Sequence, residues 1–250
     1  MILLPLLLLI QSAPLPAAPK DTTEARFGRC ADLAVNDPDR GEAEASTWRL
    51  SGGGFLAQQC LGMAHATRGN YTAAAAAFEE AARGAEVKKD ARAGNYWAQA
   101  GNAWLAAGEA GKARQGLDAA IASGTLTGLP LGEAHLDRAR ALVAQNDLTA
   151  ARTSIDHALE TASDDPLAWL LSATLARRMN DLPRARTDIA KAVERAGDDA
   201  SVQLEAGNIA ALSGDEAGAR GGWNRAASIG GSTPIGEMAR AALAQFDAGK

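Results

Sequence analysis

Three histidines, two cysteines and several paired acids are the side chains of this 250-residue chain that could do chemistry. A metal centre needs His, Cys or acidic ligands at short, regular spacings. His65, His135 and His157 fall on three separate predicted helices and offer no such spacing. His65 occupies a packing position and His157 a solvent-facing one. A nucleophile needs a base and an orienting group. No Ser-His-Asp order, nucleophile elbow or Cys-x-x-Cys is present. Gly52-Gly53-Gly54 lacks the preceding strand and the lysine of a phosphate cradle, and reads as a hinge between helices. Glu79-Glu80 reads as a solvated helix face, and Asp164-Asp165-Pro166 as a helix boundary. The sequence therefore predicts no metal, no cofactor and no catalytic residue. An enzyme of unrecognised type is a minor alternative.

The charge balance narrows the partners. With 25 basic and 30 acidic residues the net charge is −5, the wrong sign for a nucleic-acid surface. At the amino end, Ile2 to Ile10 is apolar apart from Pro5, and small residues follow from Ser12 to Ala18. That run has the length of a secretory core and is too short for a bilayer interior of about 30 Å. Residues 1–18 are therefore expected to be a signal peptide, and the mature chain to be periplasmic or secreted without membrane insertion. An uncleaved apolar anchor or a misassigned start is the competing reading. Cys30 and Cys60 each lie on an apolar helix face. In an exported chain they would pair as a disulfide and stabilise the fold by roughly 3–4 kcal/mol. In a reducing compartment they would be two buried thiols packed as small hydrophobes.

The elements that must position everything else follow from one recurring phrase. It begins at Gly69, Gly108, Asn146, Asn180 and Gly214, so the successive steps are 39, 38, 34 and 34. Glycine or asparagine enters the left-handed conformation that ends a helix. Asp147, Asp181 and Asp215 then stand as caps of the next helix, as Asn70 does in the first copy. Apolar residues at spacings of three and four flank each phrase, and strand-like alternation is absent. A period in this range means stacked helical hairpins, because one hairpin cannot bury its apolar face alone. The two longer steps place extended turns near 84–92 and 124–131. Helices over 22–36 and 39–50 precede the array. A last one, Pro234 to Phe246, turns Met238, Ala242, Leu243 and Phe246 inward.

The residues within each hairpin resemble the tetratricopeptide repeat. The first copy has Leu61-Gly62, Gly69, Tyr71, Ala74, Phe78 and Ala81; the second has Trp97, Ala100-Gly101, Gly108, Ala113, Leu117 and Ala120. In the third, His135 and Ala139 hold the first-helix slots, followed by Leu148, Ala151, Ile155 and Ala158. The fourth has Trp169, Ala173, Leu182, Ala185, Ile189 and Ala192, and the fifth Ala206-Gly207, Gly214, Ala219, Trp223 and Ala226. The resemblance implies an all-α, right-handed α-solenoid of antiparallel helix hairpins. It divides the chain into an N-terminal helical cap at 19–52, about five repeats over 53–231 and a C-terminal capping helix at 232–250.

It also implies a groove lined by the first helix of each repeat. By register that wall carries Gln59 and Met63, then Asn95 and Asn102, then Arg140, then Thr174 and Arg177, then Asn208. Leu56 and Leu136 fall on the same wall. Such a mixed strip suits an extended or helical peptide. Asn102 and Asn208 are the candidates for gripping peptide backbone, since an amide both donates and accepts. Some relatives hold a terminal carboxylate in a basic clamp; here Glu133 and Asp137 occupy clamp slots and would repel it. The expected function is a non-catalytic adaptor for a protein or peptide partner. The alternative is a structural subunit of a cell-envelope complex docked through its convex face.

Overall fold

Local backbone chemistry sets the helix ends. Gly69, Gly108 and Gly214 adopt φ of 75–77°, and Asn146 and Asn180 take the same left-handed turn at φ 61°. The next residue's N–H reaches the carbonyl five positions back: Asn70 to His65, Asp147 to Leu142 and Asp215 to Ala210, each at 2.9 Å. That bond occupies a carbonyl the helix leaves free. The carboxylates of Asp147, Asp181 and Asp215 then accept from the backbone N–H three residues on. Asn70 departs from expectation. It stands at the cap position, but its side chain makes no capping bond.

The computed structural model describes residues 22–248. Among them are thirteen helices and no strand. The expected signal peptide at 1–18 lies outside the described residues. The helices pair in order: α1 (Thr23–Asn36) with α2 (Pro38–Leu50), α3 (Gly54–Thr67) with α4 (Tyr71–Val87), and α5 (Ala93–Ala106) with α6 (Ala110–Ala122). Then come α7 (Gly128–Ala144) with α8 (Leu148–Thr161), α9 (Pro166–Arg178) with α10 (Leu182–Ala196), and α11 (Ala200–Leu212) with α12 (Glu216–Gly230). The last helix, α13 (Pro234–Ala248), packs on α12. The result is an all-α solenoid of helical hairpins. The longer steps are taken up by a turn through Lys89, at φ 54°, and by the segment between Ala122 and Gly128.

Small residues let the paired helices cross closely. A methyl added at Gly62 would lie 2.6 Å from the Phe78 ring, and one at Gly207 2.5 Å from Trp223. Both are closer than real side-chain carbons come, so the large residue of the second helix sits where the first helix has only hydrogen. Leu117 and Ile155 fill the equivalent place against Gly101 and Ala139 and are nearly or fully buried.

The two ends are closed differently. Cys30 of α1 and Cys60 of α3 form a disulfide, with Cα atoms 6.0 Å apart. The free-thiol alternative is thereby set aside. At the other end Phe246 meets Trp223 edge to face, with ring centres 5.4 Å apart. Met238, expected inward, is instead 49% exposed, while Gly236 and Ala239 are buried. The reason is a backbone contact. Gly236 lies directly against Gly230 and Gly231, and that approach fixes the rotation of α13.

Candidate binding groove on the first helices

The first helices carry the eight groove residues, and the structure sorts seven of them into three groups. Gln59 of α3 and Asn95 and Asn102 of α5 line one recess of about 420 Å³. Phe27 of α1 and Glu133 and Asp137 of α7 complete it. Helices α1, α3, α5 and α7 thus contribute to one cavity. Two further lining residues, Tyr96 and Gln99, lie outside the wall that register defines. Tyr96 is 1% exposed, and neither its hydroxyl nor the side-chain carbonyl of Gln99 has a hydrogen-bond partner. Burial pushes the Tyr96 phenol above its ordinary pKa, so it remains a donor. An unpartnered buried polar group is costly, of order 1–3 kcal/mol. These two are therefore groups that a ligand or water could satisfy.

The charges around the recess are fixed by short contacts. Arg92 donates from its guanidinium and its backbone N–H to the Asp90 carboxylate, at 2.7–2.9 Å. Those bonds lower Asp90 to about 2 and raise Arg92. Burial raises the Asp137 carboxyl, while Arg140 and an amide hydrogen bond from Asn102 oppose the shift. Arg140 Nη1 lies 3.0 Å from Asp137 Oδ1. Asn102 is exposed at the edge of the recess, on the side of Asp137.

Arg140 and Thr174 border a second, smaller opening of about 140 Å³ between α7, α8 and α9. Arg177 and Asn208 form the third group and are engaged within the fold. Arg177 donates twice to Glu205, at 2.6 and 3.2 Å. Asn208 donates to Glu205 at 3.2 Å and accepts from the Trp223 indole at 3.0 Å. Since indole can only donate, both ends of this amide are assigned and spent. Met63 packs between two core clusters rather than opening to a recess. Leu56 and Leu136, placed on the wall by register, are buried at 4% and 3% exposure.

The histidines are less scattered than their spacing indicates. His135 and His157 meet across α7 and α8 with ring centres 5.3 Å apart. Burial, then the neighbouring His157 and Arg138, lower the His135 pKa. Among the described residues no group of three His, Cys, Asp or Glu could hold a metal ion. None of their helices is long and apolar enough to cross a membrane.

Solved structures share this fold. The pilus biogenesis factor PilW superposes with a TM-score of 0.70 at 16% identity, covering 86% of this chain and 97% of that one. PilF of Pseudomonas aeruginosa gives 0.69 at 13% identity, over 91% and 99%. YrrB, described as a TPR protein with an unusual peptide-binding site, gives 0.57 at 16% identity, over 88% and 99%. The chain has the tetratricopeptide-repeat fold. No protein-family model and no curated protein matches its sequence. In the tetratricopeptide frame, Asp137, Leu171 and Glu205 are one and the same position in three successive repeats. Val143 and Arg177 share another.

Proposed function

We propose that this tetratricopeptide solenoid is a non-catalytic adaptor that binds a peptide segment of a partner protein along its first-helix groove. The observation that carries the reading is the recess between α1, α3, α5 and α7. It presents Gln59, Asn95 and Asn102 beside two buried polar atoms, on Tyr96 and Gln99, that have no partner. Peptide backbone supplies one donor and one acceptor per residue and can satisfy them. The peptide-binding site of YrrB, on the same fold, is consistent with this use.

We also place the mature chain outside the cytoplasm. The disulfide between Cys30 and Cys60 belongs to an oxidising compartment. The apolar run from Ile2 to Ile10 is suited to export. PilW, a type IV pilus biogenesis factor, is a precedent for this fold in pilus assembly.

The test is in-cell crosslinking of the tagged full-length chain, with mass spectrometry of its partners and of its own amino terminus. An Asn95→Arg, Asn102→Arg variant fills the recess, while Arg225→Glu alters an exposed position on α12. A dominant partner lost only from the recess variant is the expected result. Loss only from Arg225→Glu would favour docking through the second helices. A mature terminus that retains residues 1–18 would overturn the export reading.

A further inference from the structure

Val143 and Leu171 occupy the positions that Arg177 and Glu205 hold one repeat later. Arg177 and Glu205 bridge α9 to α11 through two hydrogen bonds. Two aliphatic side chains cannot bridge in that way. Accordingly α7 touches α9 less than α9 touches α11 or α5 touches α7. A cleft of about 140 Å³ opens in the space. Its floor is Ile155 and Leu175, each 2% exposed, and its walls are the half-buried Val143 and Leu171. A space of about 150 Å³ with an apolar lining holds a benzene-sized group. A branched aliphatic side chain is of that size.

The rim is charged in one sense. Arg140 and Arg178 both border the cleft and are exposed, and no acid lines it. Arg140 is held by Asp137. The Arg178 guanidinium makes no ion pair or hydrogen bond within the described residues. This is a local excess of positive charge in a chain of net charge −5.

The geometry points to an anchor site in the groove. A Leu, Ile or Val side chain of the partner segment seats between α7 and α9, and an Asp or Glu one or two residues away pairs with Arg178. The inference rests on the groove reading and adds the partner's chemistry to it. Burial of one aliphatic side chain is worth roughly 10- to 100-fold in affinity. A rim ion pair adds roughly up to fivefold and makes binding salt-sensitive.

A phage library of random dodecapeptides selected on the full-length chain tests this directly. Enriched peptides are then synthesised and titrated by fluorescence anisotropy. The expected motif is an aliphatic residue with an acid within two positions. Thr174→Phe, which fills the cleft from its edge, should weaken these peptides roughly 10- to 100-fold. Arg178→Glu, at an exposed position that leaves the core intact, should weaken them roughly fivefold or more and reverse the salt dependence. Peptides that lack the motif, or that bind both variants as tightly as the parent but fail on Asn95→Arg, Asn102→Arg, would overturn the anchor and leave the groove reading standing. A selection that enriches no peptide on the parent chain would overturn both.

Discussion

The junctions α7–α9 and α9–α11 are built on the same frame and finished in opposite ways. In the second, Arg177, Glu205, Asn208 and Trp223 form a continuous hydrogen-bonded chain that closes the groove. In the first, the equivalent positions are Val143, Leu171 and Thr174, and the groove stays open as an apolar cleft. One repeat earlier the position of Leu171 and Glu205 is Asp137, half-buried and held by Arg140. A solenoid repeats its hairpin but not its groove. The turn and crossing residues are dictated by backbone geometry, whereas the groove positions are not, and they can differ at every step.

The comparison can be broken most forcefully at Glu205. Its side chain is 9% exposed, and it is the carboxylate that pairs with Arg177. Glu205→Ala should cost about 2–3 kcal/mol, toward the lower side of the range for losing one member of a buried pair because Arg177 keeps some solvent. Urea denaturation of the parent and variant would measure it. A loss below about 0.5 kcal/mol, the size expected of an exposed surface pair, would mean that the pair does not hold the junction.

Exchanging the two junctions sharpens the contrast. Val143→Arg with Leu171→Glu installs the polar pair in the open cleft. Arg177→Val with Glu205→Leu removes it from the closed one. Replacing a buried ion pair with apolar side chains of similar volume is often close to neutral, so each double variant should stay within about 1–2 kcal/mol of the parent. Peptide binding should respond far more. The first exchange should abolish anisotropy changes with aliphatic-acidic peptides, and the second should add a cleft between α9 and α11. Unchanged binding in both would show that these positions do not determine where a partner sits.

The smallest effect concerns Asp137. Burial raises its carboxyl above 3.8, so the folded chain binds that proton more tightly than the unfolded chain does. Its contribution therefore weakens stability as pH rises from 3.8 to the folded value and is constant above it. Asp137→Asn should flatten that part of a stability–pH curve. Asp90 acts in the opposite sense: lowered to about 2, it stabilises at pH above 3.8, and the gain is lost as pH falls through about 2. A curve for Asp137→Asn that superposes on the parent would remove Asp137 from the account of this position.

The parts legible in the sequence are those decided locally. Gly69, Asn146 and Asp147 announce a left-handed turn and a cap through their own chemistry, and the structure has both. Cys30 and Cys60 are the only two cysteines, so an exported chain is expected to pair them, and the structure has that bond between α1 and α3. The groove is legible only as a strip. Arg177 and Asn208 look like free polar groups until Glu205, 28 residues from Arg177, is brought alongside. Met238 follows the helical apolar pattern, but the contact of Gly236 with Gly230 turns it outward.

The disulfide also gives the solenoid a mechanical polarity. A force applied at the two termini meets a covalent short-circuit between Cys30 and Cys60, which removes a 30-residue span from the extensible length. At about 3.3–3.6 Å per residue that span is roughly 100 Å of contour that a pull cannot release until the bond is reduced. The α13 end has no such tie, so under tension the array should peel from its carboxyl end while the α1–α3 end acts as the fixed anchor.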